Sequence, residues 1–424
     1  EGDIMSKKIL HTSLAYVAVL TGAGLASGQE ILQYFTAYGK SGLWTALFVL
    51  LLHTFIGAII LELGSYYFAD EHSDVLDEIA SKKFTKVFDI LLILTGFIIG
   101  FVMLSGAGSN LNQQFGLAPW IGSLICALLV IFVGMMDFEK VTRIIGAFTP
   151  IIVALILIAS IYTIVKFDGS FDQLDPIART IPKNFGNPWL SVVNYFSLCM
   201  MVGLSTAFAI GGNHVLSEEA KVSGLLGGFI TGTVTALLAV VLFMRVDILK
   251  DADLPTQTLI EEINPVLGLI MSFVIFGMIF NTAIGLYYSL AKRASKDNPT
   301  KYKMYLIGFV TIGFFLSFLG FRKLISITYP IIGYAGIILI IFLIYAYIRD
   351  FQKIKKESKR RFKILDLLEK KYDDDQDYTK KDERKVKSMI NQSNLDNDVL
   401  EEEMETIAEE NQEDDDVTEE NTEK

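Results

Sequence analysis

The stretch TGAGLASGQE, from Thr21 to Glu30, interrupts the first apolar segment of the chain, which runs from Ile9 to Tyr38. Glycine weakens a helix, and a carboxylate surrounded by hydrocarbon is energetically unfavourable. Three glycines and an acid so close together are therefore poor material for a continuous membrane helix. The sequence predicts a membrane helix that is broken near its middle.

Long apolar runs follow this first segment throughout a chain of 424 residues that is 52% hydrophobic. The run from Leu43 to Leu63 can cross about 30 Å of hydrocarbon at about 1.5 Å per residue. Such runs predict a polytopic all-α membrane protein, because backbone polar groups in lipid must be satisfied within helices. Ten transmembrane helices are predicted, at Ile9–Tyr38, Leu43–Ala69, Phe84–Asn110, Pro119–Met136, Ile144–Val165, Trp189–Gly212, Gly224–Val246, Val266–Ala291, Met304–Leu319 and Leu324–Ile348.

Lys and Arg are concentrated in the segments that share a side with the N-terminus, including the stretch from Arg349 to Lys363. The positive-inside rule then places both termini in the cytoplasm. We expect a multi-pass protein of the cell membrane, with a cytoplasmic N-terminus at residues 1–8 and an extracellular loop at residues 166–188.

An internal repeat relates the two halves of the chain. The span that starts at Leu43 recurs at Gly224, and Pro150 recurs as Pro330, each about 180 residues later. Because each half has an odd number of spans, the second half enters the membrane with the opposite orientation. The sequence therefore predicts a 5+5 inverted repeat, with its halves at residues 9–165 and 189–348.

Transporters with inverted repeats bind substrate near the bilayer midplane, where the first helix of each half is broken. The counterpart of Thr21–Glu30 in the second half is MVGLSTAFAIGG, from Met201 to Gly212. Breaks free N–H and C=O groups for binding, although small residues also allow close helix packing. The predicted pocket residues are Ser27, Gly28, Gln29, Glu30, Gly203, Ser205 and Thr206.

Glu30 supports two interpretations. An ionisable residue at membrane depth is a functional candidate, here a proton carrier or cation ligand. Ser27 and Glu30 also have the spacing of a capping box, in which each side chain binds the backbone N–H of the other residue. Both interpretations stay open at this point.

The eighth span contains FNTAIGLYYSL, from Phe280 to Leu290. Asn281 and Thr282 offer oxygen atoms that suit Na⁺, or they form hydrogen bonds between helices. Ser105 and Asn110 on the third span are weaker candidates for the same cavity.

Four other residues in the spans have simpler interpretations. His53 is a packing residue or, as the alternative, part of a proton relay. Glu62 lies near the cytoplasmic end of the second span and is expected to contact the interface or a loop. Cys126 and Cys199 lie in apolar spans and are interpreted as small core residues rather than a disulfide.

Two motifs resemble those of the YkvI-type bacterial membrane proteins, distant members of the amino acid–polyamine–organocation superfamily. They are GAGLASGQEILQYFTAYG, at residues 22–39, and, more loosely, NHVLSEEAK, at residues 213–221. The resemblance covers Lys8 to Arg349. It implies the LeuT fold, with helices one and six broken around a central site that alternates in access.

The resemblance also implies roles for individual residues. It adds Gly22, Ala23 and Gly24 to the substrate-binding residues, and Phe208 of the sixth span is a further candidate. It implies a coupling-ion site made by Thr282 with carbonyl groups near Gly22 and Leu25, to which Glu30 and Asn281 are further candidates.

The end of the chain changes in charge. The segment 349–371 is basic and should attract anionic lipid headgroups. From Leu365 onward the chain has 23 acidic and 8 basic residues, a net charge of −15, so the rest carries +4 of the total of −11. We expect the acidic tail, residues 372–424, to be disordered, with helical stretches as the alternative.

These observations favour a secondary active transporter of a small amino acid or amine, coupled to H⁺ or Na⁺. Lys and Arg are missing from mid-depth in the predicted spans, which disfavours a multiply charged anion. The alternative is a transporter-derived sensor or scaffold that signals through the acidic tail. The sequence contains no metal-ligand cluster, nucleophile–base pair or phosphate loop, so we predict neither an enzyme nor a cofactor. The predicted partners are a small-molecule substrate and membrane lipids, and nucleic acid is not among them.

Overall fold

A computed structural model describes residues 2–136, 148–296, 298–373 and 376–422 of the chain. The regular elements in these ranges are helices, including short 3₁₀ turns at Thr36–Tyr38 and Ser317–Leu319. The α-helices are α1 (Gly2–Leu20), α2 (Ala23–Ser27), α3 (Gln29–Tyr34), α4 (Lys40–Tyr67), α5 (His72–Ile79), α6 (Lys82–Phe115), α7 (Pro119–Gly134), α8 (Phe148–Lys166), α9 (Phe171–Ala178), α10 (Pro188–Gly212), α11 (Ser217–Met244), α12 (Val246–Leu249), α13 (Pro255–Ile263), α14 (Pro265–Ser295), α15 (Pro299–Leu316), α16 (Phe321–Tyr372), α17 (Lys380–Ile390) and α18 (Asn397–Thr422).

Seven helices among the described residues are long and apolar enough to cross a membrane, namely α4, α6, α10, α11, α14, α15 and α16. Two shorter apolar helices, α7 and α8, accompany them. The chain is therefore an all-helical membrane protein, as the sequence predicted. The count of ten spans stays a prediction, and the start of the fifth predicted span lies outside the described residues.

Helix α4 packs closely on α11 through glycines. A Cβ atom at Gly224, Gly228 or Gly232 of α11 would overlap the main chain of α4. Small residues allow this approach, which is how helices associate in a membrane without a hydrophobic driving force. Helices α6 and α14 also pack together. Both pairs join segments about 180 residues apart, as corresponding helices of the two halves would. The inverted repeat itself stays a prediction.

The first apolar segment is interrupted. Helix α1 ends at Leu20, and the short helices α2 and α3 follow. Between them Gly28 adopts φ +76°, a left-handed conformation that glycine accepts without steric strain. A side chain at residue 28 would also overlap Thr256 of α13.

The second predicted break is absent. Helix α10 continues through the whole segment Met201–Gly212. Its small residues allow close packing instead, which was the alternative interpretation. Gly203 faces Val19 and Leu20 at the end of α1, and Gly211 lies against the main chain of α4.

The C-terminal region also differs from the prediction. Helix α16 carries the tenth predicted span and the whole basic segment 349–371 as one helix, and α17 and α18 lie in the tail that was expected to be disordered. The prediction rested on the acidic composition and overlooked apolar residues at helical spacing. Leu400, Met404 and Ala408 recur every four residues and are buried. The described part of the tail therefore contains helices, which was the alternative to disorder.

Two sides of the helix bundle can be distinguished. The side that holds the tail, here called the tail side, also contains α5 and the α10–α11 connection at residues 213–216. The opposite side contains α9 and the segment that joins it to α10, where Tyr38 donates to the carbonyl of Phe185 at 2.9 Å.

Candidate functional site

A small central cavity, with about 500 Å³ of empty space when its opening is included, lies beside the interruption of the first segment. Its walls come from α1, α2, α3, α6, α10, α14 and α16. Five of the residues predicted from sequence line this one cavity: Gly22, Gly24, Leu25, Glu30 and Thr282.

Glu30 is the acidic group of this cavity. Its side chain is 7% exposed and lies against Gly24, where a Cβ atom would overlap the carboxylate. The hydroxyl of Tyr329, on α16, lies beside this carboxylate in the same cavity. Among the described residues, Lys, Arg and His are missing from the cavity lining. Such a carboxylate can bind a proton, a metal cation or an amine.

The predicted capping box does not form. The N-cap of α3 is Gly28, so Glu30 is at the second helical position rather than the third that a capping box requires. Ser27 accepts from the N–H of Gln29 at 3.2 Å and donates to the carbonyl of Gly24 at 2.9 Å. Glu30 is thereby left to face the cavity.

The other residues predicted on the first segment lie behind the cavity or at the start of α2. Ala23 is the first residue of α2, and Gly28 is covered by Thr256. Gln29 is fully buried, and both polar atoms of its amide are without a hydrogen-bond partner among the described residues.

The residues predicted on the sixth span separate into two groups. Gly203 packs on α1, and Phe208 is fully buried with its carbonyl against Gly64 of α4. Neither is part of the lining of the central cavity. Ser205 and Thr206 line a second, larger cavity.

This second cavity, here called the vestibule, has a volume of about 1580 Å³ including its mouth on the tail side. It shares Ile99 and Val202 with the central cavity, so the two spaces adjoin there. At its mouth His72 of α5 binds Asp89 of α6 at 2.8 Å and Ser205 of α10 at 3.1 Å. The central cavity is therefore closest to solvent on the tail side.

The opposite side is closed over the cavity by α3, all six residues of which are buried. The hydroxyl of Tyr34 donates to Asn194 Oδ1 at 3.1 Å. Asn194 Nδ2 then donates to the carbonyl of Pro330 at 3.0 Å. These bonds join α3, α10 and α16 into one closure.

The predicted cation ligands are only partly brought together. Thr282 lines the central cavity, whereas Asn281 does not, and its buried Oδ1 has no partner in the described part of the chain. Ser105 donates to the carbonyl of Ser317 at 2.9 Å, and Asn110 donates to Gln257 at 2.9 Å. Both of these side chains are engaged away from the cavity.

His53 and Glu62 lie outside the cavity. The ring of His53 packs edge-on to Phe196, and its nitrogens have no partner among the described residues. Glu62 accepts from the hydroxyl of Tyr347 at 2.6 Å and lies 3.5 Å from the Lys221 ammonium, near the tail side as expected.

Sequence reasoning missed three cavity residues that carry a hydroxyl or thiol group: Tyr195, Cys199 and Tyr329. Cys199 was interpreted as a core residue, but it is half-buried in the cavity wall. Tyr329 had a usable signal, since it is a polar aromatic residue beside the helix proline Pro330 in an apolar span.

The chain is similar to two curated proteins of Bacillus subtilis strain 168. It is 25% identical to the uncharacterized membrane protein YkvI over 328 residues, which cover 77% of this chain and 92% of YkvI. It is 26% identical to the uncharacterized protein YyaD over 332 residues, which cover 78% of this chain and 94% of YyaD. No family model matches the chain. The resemblance to the YkvI-type proteins is confirmed.

Solved structures with a similar fold include two LeuT-fold transporters. MhsT in complex with L-phenylalanine has a TM-score of 0.56 at 13% identity, covering 94% of this chain and 96% of MhsT. The inward-facing conformation of Mhp1 has a TM-score of 0.54 at 12% identity, covering 77% of this chain and 76% of Mhp1. These neighbours are transporters and not enzymes. The chain is thus an all-helical membrane protein that resembles the YkvI-type proteins and shares the fold of the LeuT-fold transporters.

Proposed function

We propose that this protein is a secondary active transporter that carries a small amino acid or amine across the cell membrane by alternating access. The observation that carries the proposal is the position of Glu30. Its carboxylate lies in the wall of a central cavity, at the interruption of the first segment, without a cationic side chain beside it in the described lining. A buried carboxylate in a membrane protein needs a counter-ion or a proton, and a transported amine or coupling ion can supply it.

The cavity suits a small organic solute with a cationic group. Glu30 would bind the amine, and the hydroxyls of Thr282, Tyr195 and Tyr329 would accept or donate further hydrogen bonds. The coupling ion is H⁺ if Glu30 exchanges a proton during the cycle. It is Na⁺ if Thr282 and carbonyl groups near Gly22 and Leu25 coordinate the ion.

The two sides of the cavity support alternating access. The vestibule adjoins the cavity on the tail side, while the bonds of Asn194 close the opposite side. With both termini in the cytoplasm, as the charge distribution predicts, this is an inward-facing arrangement. The outward-facing state would require these closing bonds to break.

Ligand-dependent thermal stabilisation of the purified protein tests the proposal. Amino acids and amines are screened with and without Na⁺ between pH 5 and 8, because a ligand at 100 times its Kd stabilises the folded state by about 2.7 kcal/mol. The Glu30→Gln variant should lose the response. Glu62→Gln is the matched control, since Glu62 is a buried acid outside the cavity and should leave the response unchanged.

Flux into proteoliposomes then separates a transporter from a binding protein. A stabilising ligand should accumulate only when an H⁺ or Na⁺ gradient is imposed, and Thr282→Val should abolish a dependence on Na⁺ but not on H⁺. A folded protein that neither responds to any ligand nor supports flux would contradict the proposal and favour the sensor or scaffold alternative.

A further inference from the structure

Arg361, on the tail-side extension of α16, is fully buried and binds main-chain carbonyl groups of two other elements. Its Nη1 donates to the carbonyls of Ser65 at 2.9 Å and Val215 at 3.0 Å, and its Nη2 donates to the carbonyl of Tyr66 at 2.9 Å. Ser65 and Tyr66 belong to the last turn of α4, and Val215 belongs to the α10–α11 connection. One side chain therefore holds three elements together on the tail side.

The chemistry of this contact explains why an arginine is buried there. The last carbonyls of a helix have no partner within the helix and carry partial negative charge. A guanidinium offers five N–H donors in a fixed plane and so can satisfy several such carbonyls at once. Glu357, one turn earlier on α16, accepts from Arg361 Nε at 3.2 Å and balances the buried charge.

The tail completes this contact. In the turn between α17 and α18, Asn394 Oδ1 accepts from Arg361 Nη2 at 3.0 Å, and Asn394 Nδ2 donates to the carbonyl of Tyr66 at 2.7 Å. Ser393 of the same turn donates to Glu357. The tail thus binds the side chains of Arg361 and Glu357 on α16 and the end of α4 at the same time.

An apolar cluster holds the two tail helices in place. It brings together residues of the α10–α11 connection, of α16, and of α17 and α18, and Lys371 of α16 binds Glu405 of α18 at 2.6 Å. Burial of these side chains removes apolar surface from water, which stabilises the docked tail. The tail contributions are Val386, Ile390, Leu400, Met404 and Ala408.

Helix α16 connects this contact to the closure on the opposite side. It carries Tyr329, beside Glu30, and Pro330, whose carbonyl accepts from Asn194. From Ile331 to Tyr372 it is one helix without proline, so its two ends are mechanically linked. Whatever holds the extension of α16 against α4 therefore also restrains the position of Tyr329 and Pro330.

We propose that the C-terminal tail, residues 376–412, is an intramolecular latch that fixes α16 to α4 and to the α10–α11 connection, and so stabilises the state in which the opposite side is closed. Release of the tail shifts the population towards states that open on the opposite side. The proposal concerns a conformational equilibrium, so its test requires neither substrate nor flux and is separate from the test of transport.

Accessibility of Cys199 reports the equilibrium, because Cys199 lines the central cavity. In the full chain with Cys126→Ser, a membrane-impermeant thiol reagent is applied from the side opposite the tail, in vesicles of known orientation. Asn394→Ala and Leu400→Asp should each increase the labelling rate. For Asn394→Ala we expect an increase of about fivefold, which corresponds to the net contribution of one hydrogen bond. Gln392→Ala is the matched control and should leave labelling unchanged, since in the described part of the chain the Gln392 side chain binds only Ser388, within the tail.

Two further measurements make the outcome decisive. Limited proteolysis of the tail shows whether a variant has released it, and a chain that ends at Tyr372 lacks the tail contact altogether. Faster labelling of the truncated chain, in protein that stays monodisperse, is the expected result. Labelling of the truncated chain at the rate of the full chain would overturn the proposal, whatever the protein transports.

Discussion

The carboxylate of Glu30 occupies the space that a Cβ atom on residue 24 would fill. The contact arises because Gly28, at φ +76°, turns the chain between α2 and α3 and lets Glu30 fold back on Gly24. Two glycines of the interruption therefore have different physical tasks. Gly28 provides a left-handed backbone conformation, and Gly24 provides room for the carboxylate.

Gly24→Ala should displace the Glu30 carboxylate from the cavity wall. We expect ligand affinity to fall at least about tenfold, the effect of about 1.4 kcal/mol, with little change in overall stability. Gly308→Ala, on α15 and outside the cavity lining, is the control, because a Cβ atom there meets no described atom within 4 Å. Isothermal calorimetry, with a ligand found by thermal stabilisation, measures the affinity of both variants. An equal loss of affinity in the two variants would contradict the role assigned to Gly24.

Tyr329→Phe should weaken ligand binding through loss of the hydroxyl beside Glu30. The expected loss is about fivefold, since a typical hydrogen bond contributes about 1 kcal/mol net. Tyr16→Phe is a suitable comparison, because the buried hydroxyl of Tyr16 has no hydrogen-bond partner in the described residues. The same titration should give an unchanged Kd for Tyr16→Phe, and an unchanged Kd for Tyr329→Phe would show that the hydroxyl has no role.

Asn194→Ala should loosen the closure on the side opposite the tail. The substitution leaves the Tyr34 hydroxyl and the Pro330 carbonyl without their partner, which destabilises the closed state by about 1–3 kcal/mol. Labelling of Cys199 from that side should accelerate by about tenfold or more. Asn112→Ala should have no such effect, since among the described residues its side chain binds only the nearby carbonyl of Leu117. Equal rates for both variants would argue against the closure.

Asp175 should make stability depend on pH in the acidic range. The hydrogen bond from Arg179 lowers the pKa of the Asp175 carboxyl below its usual range, and the N–H of Lys40, at the start of α4, donates to the same carboxylate at 2.7 Å. Because the pKa is lower in the folded state, the stabilisation is fully present above the unfolded pKa of about 3.9 and is lost as pH falls through the folded pKa.

Asp175→Asn should accordingly lower stability by about 1 kcal/mol near neutral pH, with a difference that shrinks below about pH 4. Thermal unfolding at several pH values measures this effect. Asp168→Asn, on an exposed residue of the same segment, is the control. A stability difference for Asp175→Asn that did not change with pH would point to lost geometry rather than lost charge.

Local pattern was sufficient for the class of the protein. Apolar runs the length of a bilayer predict membrane helices, because backbone groups in lipid have no other partners. The cluster of glycines near Glu30 indicated the interruption, because glycine weakens a helix and accepts non-helical conformations. The same reasoning could not distinguish a helix break from a packing face, since glycine is common in both. Gly28 of the first segment is a turn, whereas Gly203 of the sixth span is a contact with α1.

Only tertiary structure decided which residues meet. Tyr329 comes to Glu30 across about 300 residues of sequence, and Asn394 comes to Arg361 through an apolar cluster that composition concealed. A pattern along the chain reports the environment that one helix requires, because helix formation and burial in lipid are local preferences. The partner of a buried polar group depends on how helices from distant segments pack, and it is that packing which places Glu30 in a cavity and Arg361 beneath the tail.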